Sequence, residues 1–257
     1  MNKNKNLKDV IIALNGEDGC PWDRKQTIRT IRQFLLEESY ELLEAMENPG
    51  SIKHRDELGD LLFQIYFQAH IVEKSGGFNI EDVETSICTK LVERHPHVFS
   101  SIQSDITESI WEKNKMKARG SSSIMDDLPK TLPALTASEK IQRRAASIGF
   151  DWPDYHGPRG KVDEELAELD DAFASGEDNR IEEEMGDLLF SVSNLARHLG
   201  CHPEITLHKT NNKFRQRFQL METLAKEDGI DLGSLDLDAQ DEYWVRAKNI
   251  LKSAKTT

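Results

Sequence analysis

Two blocks of this sequence occur twice. Residues 37–45 read EESYELLEA and residues 164–172 read EELAELDDA; residues 57–63, ELGDLLF, return at 184–190 as EMGDLLF. Glu38 and Glu165, Glu57 and Glu184, and Asp60 and Asp187 each stand 127 residues apart. Two separate blocks sharing one offset point to a duplicated unit, not to the chance likeness of acidic helices. A chain of 257 residues is long enough for two such units, each with its own core.

Within each copy the pattern is helical. Over residues 28–46, Ile31, Phe34, Leu35, Leu42 and Ala45 recur at three- and four-residue spacings, which predicts an amphipathic helix. Asn48-Pro49-Gly50 ends it, Ser51 suits the next N-cap, and residues 52–73 predict a second helix. From Leu61 onward that helix is apolar almost all round, so it is expected to be buried on most sides. Asn79 with Asp82 suits a third start. The second copy predicts helices near 157–174, 178–199 and 204–226, broken at Gly176 and Gly200-Cys-His-Pro203. No alternating strand pattern stands out. The expected fold class is all-α, two tandem bundle-like domains. Arg119-Gly-Ser-Ser-Ser123 and the prolines of Leu128–Pro133 oppose helix continuation. They place the boundaries at 1–118 for the first domain, 119–130 for a linker and 131–257 for the second.

Charge narrows the function. Lys and Arg total 33 against 46 Asp and Glu, a net charge of −13. So acidic a surface disfavours general nucleic-acid or anionic-membrane binding. The longest apolar stretch, Leu61–Val72, falls short of the about 20 residues a bilayer span needs. Met1-Asn-Lys-Asn-Lys-Asn leads into no signal-peptide core. Cys20, Cys88 and Cys201 form no paired motif, so neither a disulfide framework nor a zinc ribbon is expected. A reduced, cytoplasmic protein is the expectation.

The carboxylates are the chemical signal. Ile31, Phe34, Glu38, Glu41 and Ala45 share one helical face, so two glutamates sit where core residues belong. Glu57 and Asp60 lie one turn apart on the next helix, which a short turn makes antiparallel to the first. The two pairs then face each other, and Glu165, Glu168, Glu184 and Asp187 repeat the set. Converging carboxylates repel and are costly to desolvate. Either their pKa values rise or a divalent cation joins them. An all-oxygen set suits Mg²⁺ or Mn²⁺ better than zinc. Glu44, Glu47, Asp170 and Asp171 read as an ordinary solvated face. A di-iron bundle would use Glu-x-x-His pairs, and no His here has a Glu three residues before it. His70, His95 and His97 lack matched ligand spacing and read as packing or capping residues.

Glu-Glu-x-x-Glu followed after fifteen residues by Glu-x-x-Asp resembles the MazG nucleoside triphosphate pyrophosphohydrolases. Cys20-Pro-Trp-Asp23, His95-Pro-His-Val-Phe99 and Gly149-Phe-Asp-Trp152 extend the resemblance, in its tandem bacterial form, over nearly the whole chain. The resemblance implies a helical bundle that forms a homodimer, dependence on Mg²⁺, and hydrolysis of (deoxy)nucleoside triphosphates to monophosphate and pyrophosphate. It implies metal ligands at Glu165, Glu168, Glu184 and Asp187, and at Glu38, Glu41, Glu57 and Asp60. It also implies nucleotide contacts from Lys161, Arg180, Glu183, Lys213, Arg217, Trp244 and Lys248.

The residue types agree with that chemistry. An acidic protein meets a triphosphate through metal and local cations. Lys213 and Arg217 are four apart, as are Trp244 and Lys248; Arg grips phosphate with paired hydrogen bonds, and Trp244 suits stacking on a base. The first copy offers Lys53, the pair Lys90 and Arg94, and Trp111 with Lys115. It carries Phe34 where the second has Lys161. The second copy is therefore the expected main active site. One glutamate among Glu164, Glu165, Glu168 and Glu183 would orient or deprotonate the attacking water, and spacing alone does not choose among them. A helical adaptor that senses nucleotides or binds protein without turnover is the rival reading.

Overall fold

Apolar residues recurring every three to four positions become helices throughout the computed structural model, which describes residues 6–99, 123–126 and 128–253. Among these residues there is no strand. No helix among them is long and apolar enough to cross a membrane. The chain divides into two compact units, Met1–Asp105 and Ile106–Thr257. Residues 119–122 and 127 of the expected linker, and Trp111 and Lys115, lie outside the described residues.

The first unit comprises α1 (Leu7–Asn15), a 3₁₀ turn (Asp23–Lys25), α2 (Arg32–Ala45), α3 (Ile52–Lys74), α4 (Ile80–Arg94) and the single turn α5 (Pro96–Phe99). Helix α2 starts later than its apolar periodicity suggests. The Thr27 N–H donates to Thr30 Oγ1 at 2.9 Å and the Thr30 N–H to Thr27 Oγ1 at 3.3 Å. These local bonds hold residues 27–30 in a turn that competes with the helix. Ser51 caps α3, its Oγ accepting from the His54 N–H at 3.1 Å. Asn79 and Asp82 close a reciprocal capping box on α4. Removing the first cap with Ser51→Ala is expected to cost about 1 kcal/mol, read as a lowered urea midpoint with unchanged slope.

Ile11, Ile31 and Phe67 form the core of this unit, with Phe34 and Phe63 packed against it. Helix α3 is not buried on most sides. Phe67 and Ala69 are buried, but Leu58, Leu62 and Ile65 are exposed. Apolar character all round overestimates burial here, because α1, α2 and α4 cover only part of α3.

The second unit comprises α6 (Ala134–Ser147), α7 (His156–Ser175), α8 (Asp178–His198), α9 (Pro203–Glu227), a 3₁₀ turn (Leu232–Ser234) and α10 (Leu237–Ser253). Gly176 adopts φ 72°, the left-handed C-cap that stops α7 and lets α8 fold back on it. Helices α7 and α8 pack closely as a hairpin, α6 lies against α8, and α10 packs on α9. Met221, Leu224, Ala225, Tyr243 and Ala247 join α9 to α10. Helix α6 is unusual in burying Glu139, Gln142, Arg144 and Ser147. Arg144 Nη1 donates to the carbonyl oxygens of Ile124, at 2.7 Å, and Asp126, while its Nε is buried without a hydrogen-bond partner.

Candidate active site

The α7–α8 hairpin places Glu165 opposite Glu184 and Asp187. Carboxylate oxygens from these three lie within 4.8 Å of one another. Glu165 is only 4% exposed. Its Oε1 accepts from the Lys161 ammonium at 2.7 Å, and its Oε2 is buried without a hydrogen-bond partner. Lys161 also donates to Glu164 at 3.0 Å. The hydrogen bonds from Lys161 to Glu165 and Glu164 hold its ammonium well above the usual lysine range. Arg180 Nε stands 3.6 Å from a Glu184 oxygen.

Glu168, the fourth expected ligand, lies on α7 and is not part of that 4.8 Å group. Burial, then the Glu165 and Glu184 carboxylates, push its pKa above the ordinary 4.5. A carboxyl whose folded pKa is raised favours the folded state below its unfolded pKa and withdraws that support as pH rises through the folded value. Without metal, the Glu168→Gln variant should therefore gain thermal stability over wild type as pH rises from about 4.5. Melting curves in chelator across that range check the sign.

The cluster is not uniformly interior. Glu165 is buried and Glu184 half-buried, whereas Asp187 is exposed. The set runs from the hairpin interior to its surface, open to a ligand on one side. Its donors are all carboxylate oxygens, and one buried oxygen lacks a partner. Both features fit a hard divalent cation.

The first unit builds a related cluster on α2 and α3, with carboxylate oxygens of Glu38, Glu41 and Glu57 within 4.8 Å. Burial, then Asp60, Glu41 and Glu57, raise the Glu38 pKa. The cations differ. Phe34, at the Lys161 position, meets Trp22 edge-on with centroids 5.5 Å apart. Lys53, at the Arg180 position, pairs with Glu44 at 2.7 Å.

The remaining candidates lie elsewhere in the second unit. Glu183 is exposed on α8, and Lys213, Arg217, Trp244 and Lys248 lie on α9 and α10. The Arg217 guanidinium sits over the Trp244 ring, 5.6 Å from its centroid, and Phe214 meets the same ring at 5.0 Å. Among the described residues no ion pair joins Lys213, Arg217 or Lys248 to the carboxylates.

Sequence reasoning missed a neighbouring cavity of about 490 Å³ in this unit. Phe150, Trp152 and Phe190 line it, as do Gln142 and Asn194, and it reaches Lys161, Glu165 and Asp187. On its wall, Arg197 donates to both Asp151 oxygens at 2.5 and 2.9 Å, and His198 Nε2 lies 2.9 Å from Asp151 Oδ1. Burial alone would raise the Asp151 pKa, but these bonds outweigh it and hold the carboxyl below its usual value. The Gly149–Trp152 motif was the available signal; nothing in the helical pattern of α6 marks Gln142.

The family model for the MazG nucleotide pyrophosphohydrolase domain matches residues 26–99 and 160–220. The chain is 41% identical over 244 residues to the Thermotoga maritima nucleoside triphosphate pyrophosphohydrolase/pyrophosphatase MazG, covering 94% of each protein. It is 41% identical over 240 residues to the nucleoside triphosphate pyrophosphohydrolase of Escherichia coli K12, covering 90% of this chain and 91% of that one. An uncharacterized Bacillus subtilis protein, YabN, is 41% identical over 249 residues, 94% of this chain and 51% of its own length.

Proposed function

Since this chain belongs to the MazG nucleotide pyrophosphohydrolase family, we propose that it hydrolyses nucleoside triphosphates to monophosphate and pyrophosphate, and that the α7–α8 carboxylates are its active site. The observation that carries this reading is Glu165 Oε2, a buried oxygen without a partner beside Glu184 and Asp187. Glu165, Glu168, Glu184 and Asp187 would hold Mg²⁺, with Mn²⁺ as a substitute. A bound dication supplies charge for phosphate oxygens and lowers the pKa of water.

The chain's own groups supply the rest. Glu164, Glu165, Glu168 and Glu183 are the candidates to orient the attacking water and accept its proton. The water oxygen bonds to the α-phosphorus, and the bond from that phosphorus to the α,β-bridging oxygen breaks. Pyrophosphate leaves with the electron pair. Lys161 and Arg180 neutralise the charge that develops. Lys213, Arg217 and Lys248 add cations for the triphosphate, and Trp244 steadies the Arg217 guanidinium by cation–π contact.

The first unit has the acidic set but not the Lys161 cation, which supports the second as the main catalytic unit. Exposed apolar residues recur at matched positions, Leu58, Leu62 and Ile65 on α3 and Met185, Leu189 and Val192 on α8. They support a homodimer. Clearing of unwanted nucleotides in the cytoplasm is the role that fits this activity.

The test is product analysis with each of the standard nucleotides and Mg²⁺. Monophosphate plus pyrophosphate is the expected result. Release of orthophosphate would indicate another phosphohydrolase, and binding without turnover a sensor or adaptor.

A further inference from the structure

The wall of the cavity beside the carboxylates is of two kinds. Part of it is rigid. A Cβ at Gly157, in the first turn of α7, would lie 2.1 Å from the Trp152 indole Cδ1, so only a bare Cα lets the helix approach that ring so far. Asp151, next to Trp152, is fastened to α8 by Arg197 and His198. Met125 supplies another part of the wall, and it belongs to no helix.

Met125 sits in a four-residue turn, Ser123 to Asp126. The Asp126 N–H donates to the Ser123 carbonyl oxygen at 3.1 Å, the Ser123 N–H to Asp126 Oδ2 at 2.8 Å and the Met125 N–H to Ser123 Oγ at 3.1 Å. The turn therefore closes on itself. Its carbonyl oxygens at Ile124 and Asp126 both accept from one nitrogen of α6, Arg144 Nη1. Arg144 is 3% exposed. Burying a guanidinium is costly, and neutral carbonyls offset that cost only in part. What the contact secures is position: the two carbonyls flank Met125, so holding both fixes the residue between them.

The first unit has no such latch. Helices α1 and α6 begin 127 residues apart, at Leu7 and Ala134. Counting back by that offset, Arg144 becomes Glu17. An ionised carboxylate has no proton to give a carbonyl. The latch belongs to the unit that also carries Lys161.

We propose that the turn at 123–126 is a strap that closes over a nucleotide bound at the carboxylates, with Met125 packed on the substrate and Arg144 the positioning residue that holds the strap in place. The inference rests on the pyrophosphohydrolase reading of that cluster. Lys161, Glu165 and Asp187 line the same cavity as Met125, so Met125 borders the space that the cluster's ligand enters. Met125 is 39% exposed, apolar surface that a ligand would take out of water. Its unbranched, polarizable side chain suits a surface that must adapt to what it covers. A turn fastened by one side chain can open while the helices stay folded, which is what admission and release of substrate require.

Pyrophosphate release is to be followed for wild type, Met125→Ser, Arg144→Leu and the double variant. Each single change should raise KM by about tenfold and leave kcat within about twofold. The double variant should match the single ones, because both changes release one element. An unchanged KM in either single variant, a loss confined to kcat, or effects that multiply in the double variant overturns the proposal. Hydrogen exchange of peptides containing residues 123–126 reads the strap without turnover. The probes are the α,β-methylene analogues of ATP, GTP, CTP and UTP with Mg²⁺, in which carbon replaces the bridging oxygen and blocks cleavage. At least one should slow exchange there by about fivefold or more in wild type and not in Met125→Ser. If Arg144→Leu loses its helical circular dichroism, Met125→Ser and the exchange data decide. If wild type releases no pyrophosphate from any nucleotide, the catalytic reading fails and exchange alone judges the strap. Slowing by an analogue that is lost in Met125→Ser supports it, and exchange indifferent to all four overturns it.

Discussion

Glu184→Gln is expected to reduce pyrophosphate release by about a thousandfold or more, close to 4 kcal/mol of transition-state stabilisation, while the helical fold persists. The size follows from geometry. Glu184 shares a cluster within 4.8 Å with Glu165 and Asp187, and the amide removes both a charge and a hard anionic donor. The fold persists because Glu184 is half-buried and its Arg180 contact is long, at 3.6 Å. Losing one of several like charges also relieves Glu168, whose pKa its neighbours raise. Single-turnover rates at saturating Mg²⁺ and circular dichroism of the same sample make the measurement. Unchanged turnover would remove Glu184 from the ligand set. The matched change in the first unit, Glu57→Gln, should cost far less if the second unit carries the activity.

Lys161→Met should affect stability and activity together, and metal should separate the two. The variant leaves Glu165 buried without its 2.7 Å cation. Breaking a well-buried pair costs several kcal/mol, but this ammonium is 36% exposed. Solvent screening brings the expected loss to about 1–3 kcal/mol in chelator. Millimolar Mg²⁺ should return part of that loss, because a ligand bound only by the folded state stabilises it by mass action. Turnover should not return with it. With the Lys161 cation gone from beside the carboxylates, kcat/KM is expected to stay about 10- to 100-fold low. Equal melting temperatures for wild type and variant in chelator would show that Lys161 does not neutralise Glu165. The first unit bears on the same point: it has Phe34 at this position, half-buried and edge-on to Trp22, and gives Glu38 no such lysine.

The helical hairpins were legible because their signals are local. Ser51, Asn79 and Gly176 act within a turn of themselves, and the structure places α3, α4 and the end of α7 where those residues indicate. The start of α2 was less legible, because the hydrogen bonds between Thr27 and Thr30 compete with the helix over a stretch whose apolar spacing continues. Burial was the least legible. Leu62 and Ile65 are as apolar as Phe67, yet only Phe67 meets Ile11 and Ile31. Hydropathy records what a side chain tolerates, and packing decides which residues find a partner.

The duplication, the all-helical character and the two acidic sets follow from the residues alone. Each rests on an interval within one helix or on an offset between two, and helical geometry converts such intervals into faces. The inequality of the two halves needed three dimensions. Asn194 lies 42 residues beyond Trp152 and 52 beyond Gln142, and no periodicity links the three. Only the seating of α6 against α8, and of the Trp152 ring on Gly157, brings them around one cavity. A cavity is the space that several elements jointly fail to fill, so it belongs to their packing and not to any single stretch of sequence.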